Sequence, residues 1–176
     1  MSIAINGELK YITSISFKNI KTKSGKRLAL SDFIKKAIKS CLRFYEPTDI
    51  AIILERARTF TQTSVLSPSY MKSTGALIAY IVDAGYEYGI DTWSVDTRAW
   101  KNAILGSSKP VCVPLKGVKN PQKIASVRHI ISLGFEEEIS VYKNNNVFAG
   151  YNDDEADSAC IALYGFVNSP LLQKEL

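Results

Sequence analysis

Asp49-Ile50-Ala51-Ile52-Ile53-Leu54-Glu55 runs five apolar residues without a break and closes on a carboxylate. Unbroken apolarity, rather than alternation, reads as a strand buried on both faces inside an α/β sheet. Ligands of such sheets collect outside the carboxyl ends of the strands, which makes Glu55 a candidate site residue. Its position equally fits a charge that simply emerges into solvent where a strand ends. Pro47, just upstream, ends the helix expected before the strand. That helix opens at Ser31 and Asp32 and carries Phe33, Ile34, Ala37, Ile38, Cys41, Leu42 and Tyr45 at the 3.6 period. Asn19 to Arg27 reads as a polar, basic loop. Ser2–Ile5 and Leu9–Phe17 read as strands joined by the hairpin signal Asn6-Gly7.

Downstream of Glu55, residues 56–67 form a loop rich in Arg, Thr and Ser. Ser67 caps, and Pro68 opens, a long helix burying Ala76, Leu77, Tyr80, Ile81 and Ala84. A short strand at Thr92–Val95 and a short helix at Thr97–Leu105, stopped at Gly106, come next. Residues 107–120, with two prolines and three lysines, read as an exposed loop. Pro121–Leu133 is amphipathic with Gly134 beyond its end. Residues 141–151 read as irregular around Asn144–Asn146, and a last helix runs from Asp153 to Pro170. Strands first, then alternating helix and strand, argue a mixed α/β sheet in a single domain spanning 1–176.

The chain has 176 residues and a net charge of +5. No apolar run approaches the roughly twenty residues a membrane span needs, and MSIAINGELK carries no secretory pattern. Cys41, Cys112 and Cys160 form neither a zinc pattern nor a disulfide framework. They read as buried small hydrophobes in a reducing cytoplasm. Between Lys10 and Arg43, ten basic residues stand against Asp32 alone. Acids concentrate instead at Glu136–Glu138 and Asp153–Asp157. A basic body with a tight acidic focus suits phosphodiester chemistry, although solvated helix faces with an acidic cap would share that distribution.

The acidic focus is Asn152-Asp153-Asp154-Glu155-Ala156-Asp157. Asp153 reads as a helix cap. Asp154 and Asp157 stand three apart, share a face, and are candidate metal ligands. With Glu55 they would supply three carboxylates, and hydrolysis with two metal ions takes three or four. His129, the sole histidine, reads as a packing or phosphate-facing residue, so a zinc site or a His-based triad is implausible.

AIILERA, TGALIAYIVDAGYEYGI, TRAWKNAILG, NPQKIASVRHI and DDEADSACIALYGF, in that order, resemble the RuvC-like Holliday-junction resolvases, particularly their phage versions. The resemblance runs from about Ile3 to Phe166 and implies an RNase H-like mixed sheet flanked by helices. It also implies a magnesium-dependent endonuclease (manganese substituting) that acts as a homodimer on four-way junctions in a bacterial or phage-infected cell. Glu55, Asp154 and Asp157 match the family's metal ligands, and Lys101 and Lys123 match its lysines near the scissile phosphate. For either lysine an exposed, solubilising charge is the plain alternative. Arg56, Arg58 and Phe60 after the strand, with Arg98, Lys109, Lys116 and Lys119, are the candidate DNA contacts. The family opens with a strand ending in a metal-bridging Asp. Counting back from Glu55, that strand would fall upstream of Met1, so the expected sheet lacks it. A catalytically impaired junction-binding protein is the alternative function.

Overall fold

The computed structural model describes residues 1–5, 8–12, 19–56, 68–107, 121–144 and 147–168. The chain divides into two compact units, one of Ile15–Ser94 and one of Met1–Ser14 with Val95–Leu176.

In the unit of Ile15–Ser94, helix α1 (Lys23–Cys41) precedes a 3₁₀ turn at Pro47–Asp49, strand β3 (Ala51–Glu55), helix α2 (Pro68–Glu87) and strand β4 (Asp91–Val95). β3 and β4 form a two-stranded parallel sheet, with α2 as the crossover that parallel pairing requires. Ile34 and Ile38 of α1 meet Ala84 of α2 and Ile90 in the core, with Phe33, Ile52 and Ile81 packed around them. α1 begins eight residues before the expected Ser31. Thr22 is its N-cap, accepting the Gly25 N–H at 3.1 Å. Its first five residues, Lys23 to Arg27, carry no apolar side chain, so apolar periodicity cannot reveal where it starts. α1 also stops at Cys41, before Pro47. Residues 51–54 of β3 are half-buried rather than fully buried, because the strand belongs to a sheet of two. Leu77, expected inside, is 42% exposed, and Cys41 is only half-buried.

In the other unit, β1 (Ser2–Ile5) pairs antiparallel with β2 (Glu8–Ile12), with a bulge between Ile3 and Ala4. β2 is described only to Ile12, and the Asn6-Gly7 turn lies outside the described residues. Helices α3 (Thr97–Leu105), α4 (Pro121–Ser132) and α5 (Asp153–Asn168) pack on one another, and α5 also covers β1 and β2. α3 has the expected bounds. Asp96 caps it through the Arg98 N–H at 2.8 Å, and Gly106 closes it in the left-handed conformation at φ 72°. Small residues at Ala156, Ala159 and Cys160 are fully buried and let α5 approach its neighbours closely. The segment expected to be irregular is a hairpin, β5 (Val141–Asn144) with β6 (Val147–Tyr151). A bulge between Tyr142 and Lys143 breaks the period-2 alternation by which a strand is recognised. Among the described residues no helix is long and apolar enough to cross a membrane.

Candidate active site

The first turn of α5 is placed by a carboxylate that faces inward. Glu155 is 2% exposed, and its two oxygens accept the Ser140 N–H at 2.7 Å and the Ser140 hydroxyl at 2.9 Å. The Asn152 N–H donates to the Ser140 carbonyl at 2.8 Å, and the Asn152 carbonyl accepts from Ala156. One serine ahead of the β5–β6 hairpin is thereby tied to the residues that start α5. At about 100° per residue, Asp154 and Asp157 stand roughly 60° apart and both away from Glu155, and Asp154 is exposed while Asp157 is half-buried. Asp153, expected as the cap, is instead the first helical residue and carries an ion pair.

α4 meets this turn in register. Lys123 Nζ lies 2.7 Å from Asp153 and 2.9 Å from Asp154, while the Ser126 hydroxyl donates to Asp157 at 2.5 Å. Residues three apart on one helix thus address residues three apart on the other. Burial works to lower the Lys123 pKa, but its bonds to Asp153 and Asp154 outweigh it and hold the ammonium above its ordinary value. The three side chains are partly solvated, so each ion pair is worth only about 0.2–1 kcal/mol and serves mainly to orient the carboxylates.

Lys101 is 7% exposed on α3, which removes the exposed, solubilising reading for that residue. Its ammonium lies 5.1 Å from the ring centroid of the fully buried Trp100. Cys160 is also fully buried. Burial first, then the nearby Asp157 charge, push its thiol up to about 12, against smaller opposing effects of Ser126 and Lys101. A thiol so placed is neutral at physiological pH.

The structure therefore gathers Asp154, Asp157 and Lys123. It adds Asp153, Ser126, Glu155 and Ser140, which sequence reasoning had not assigned to a site. The Lys-x-x-Ser and Asp-x-x-Asp spacings were visible, but the register between the two helices is a property of packing. Glu55 stands at the exposed end of β3 in the other unit, with Arg56 exposed after it. Arg98 is exposed in the first turn of α3. Arg58, Phe60, Lys109, Lys116 and Lys119 lie outside the described residues.

Asp154 and Asp157 are hard oxygen donors of the kind magnesium or manganese takes. Among the described residues of their unit, no group of three or more His, Cys, Asp and Glu side chains is assembled as a metal site. The donor chemistry fits a divalent ion.

No family model and no curated protein matches the chain. Among solved structures it is similar to the RuvC structure of Thermus thermophilus, with a TM-score of 0.55 over 90% of this chain and 76% of that one. Sequence identity is 13%, so the likeness concerns the fold. The chain has a mixed α/β architecture of the RNase H-like kind, with a small parallel sheet and flanking helices.

Proposed function

We propose that the chain is a structure-selective endonuclease that cleaves Holliday junctions or other branched DNA by metal-dependent phosphodiester hydrolysis. One observation carries this reading. On a RuvC-like fold, the first two turns of the last helix present two aspartates on one face, held by a lysine and a serine of the neighbouring helix. Magnesium, or manganese in its place, would be held by Asp154 and Asp157 and would supply an activated water and charge neutralisation.

The chain's own residues prepare the site in three ways. The Ser126 hydroxyl orients the Asp157 carboxylate. Lys123 draws Asp153 and Asp154 together and places a positive charge among them. Lys101 keeps an ammonium in a low-dielectric setting, where neutralising the charge of a reacting phosphate is worth more than in water. Glu55 is proposed as a further metal ligand, with its own test by Glu55→Gln. Arg56, Arg58, Phe60, Arg98, Lys109, Lys116 and Lys119 are proposed DNA contacts, and a homodimer would place two such sites on two strands.

A second reading, a junction-binding protein with impaired catalysis, is favoured by the ion pairs in which Lys123 already engages Asp153 and Asp154. Incubation with a labelled four-way junction in magnesium separates the two. Cleavage that Asp154→Asn lowers by about 100-fold or more, with binding retained, supports the nuclease; removing even an outer-shell metal partner costs about 10–100-fold. Binding without cleavage in either metal supports the second reading. Cleavage untouched by Asp154→Asn removes the metal assignment.

A further inference from the structure

The strongest charge feature outside α5 is a groove of about 420 Å³ along α1, lined by Asp32, Lys35, Lys36, Lys39, Ser40 and Arg43. Its four cations face one lining acid. Lys35 is already satisfied, 2.6 Å from Glu87 of α2. Among the described residues Lys36, Lys39 and Arg43 have no ion-pair partner, and all three are exposed. Complementing the carbonyl end of α1 accounts for Lys39 in the last turn, but not for Lys36, a turn earlier. The Ser40 hydroxyl bonds the Lys36 carbonyl at 2.9 Å, which holds the backbone beneath these cations. The opposite face of the helix is anchored by Ile34 and Ile38 in the core, so the cations project from a fixed frame.

Lys36 lies in α1 and Arg43 two residues past its end at Cys41, and at the helical rise those seven residues cover about 10 Å. That matches the axial rise of about three phosphates along one DNA strand. Phe44 follows Arg43 directly, is 80% exposed, and has its backbone pinned by an N–H bond to the Cys41 carbonyl at 3.0 Å. Exposed cations that follow a phosphate track, with an exposed aromatic at one end, are the combination that binds unpaired nucleic acid strands.

We infer that this groove holds a DNA backbone through Lys36, Lys39 and Arg43, and that Phe44 stacks on an unpaired base beside it. The inference deepens the nuclease reading and rests on it for the choice of DNA. It assigns a contact on the helical unit of Ile15–Ser94, and makes the preferred substrate a branched DNA with single-stranded character.

The test is fluorescence anisotropy with a labelled four-way junction and a labelled oligothymidine, titrated between 50 and 200 mM salt. The proteins are the full chain, the triple variant Lys36→Gln/Lys39→Gln/Arg43→Gln, Phe44→Ala, and Lys21→Gln as an exposed control. All substituted positions are on the surface, so circular dichroism should be unchanged. The triple variant is expected to flatten the log–log salt slope by roughly 2–3 and to weaken junction binding about tenfold or more at 100 mM salt. Phe44→Ala is expected to weaken oligothymidine binding by about 5–100-fold. An unchanged slope in the triple variant, with wild-type protein binding normally, overturns the groove assignment and leaves the nuclease reading standing. Phe44→Ala that is neutral on oligothymidine overturns the stacking contact. Wild-type protein that binds neither DNA overturns both readings together.

Discussion

Glu155 is the residue on which the acidic turn depends, although it is the one acid of the cluster facing away from solvent. Its carboxylate takes both hydrogens of Ser140, and hydrogen bonds to a charged acceptor contribute about 1.5–3 kcal/mol each. Glu155→Ala is expected to lower unfolding free energy by about 2–3 kcal/mol, read as a lower urea midpoint. Glu155→Gln should cost less, since one amide oxygen still accepts a hydrogen. In sequence Glu155 was one of four acids in a row of six residues, without a mark to tell it from Asp154. Which of them turns inward is set by the rotation of α5 against Ser140. Lys101 shows the same blindness from the other side. A lysine three residues after an arginine reads as surface, yet it is buried over Trp100.

At the scale of elements, α2 offers a paired test. Its Gly75 has nothing within 4 Å of a built Cβ, whereas at Gly85 a Cβ would meet Thr92 Oγ1 at 2.8 Å, the Ile90 carbonyl at 3.0 Å and Ile52 Cδ1 at 3.1 Å. Gly75→Ala should stabilise by up to about 1 kcal/mol through helix propensity. Gly85→Ala gains the same propensity but forces the helix off the sheet, and should destabilise by about 1–3 kcal/mol. Thermal unfolding of the two variants checks the pair, and equal shifts would refute the close contact. Most elements were legible because their apolar period is local, as α3 shows to the residue. The polar start of α1 and the bulged β5–β6 hairpin were not, because capping and bulges replace periodicity with hydrogen-bond geometry.

For the whole molecule the single histidine contributes a pH response just below neutrality. Burial lowers the His129 pKa below its ordinary 6.5, so the unfolded chain takes up a proton before the folded one does. The stability that depends on His129 is therefore complete above about pH 6.5, falls as pH drops toward the folded value, and levels off below it. Melting temperatures between pH 7.5 and 5.5 should show this decline, and His129→Gln should flatten it. A decline that persists in the variant would place the effect elsewhere. By itself the sequence determined the α/β class, most helices and strands, and the two aspartates three apart, since each is written in local period or spacing. The tertiary structure alone decided that Glu55's strand is half-buried, that Lys123 and Ser126 meet Asp154 and Asp157, and that Glu155 turns inward. Such facts depend on the register and rotation of packed elements, which come from contacts between residues far apart in the chain. The run DIAIILE could announce a strand, but its burial depended on how many neighbours that strand would find.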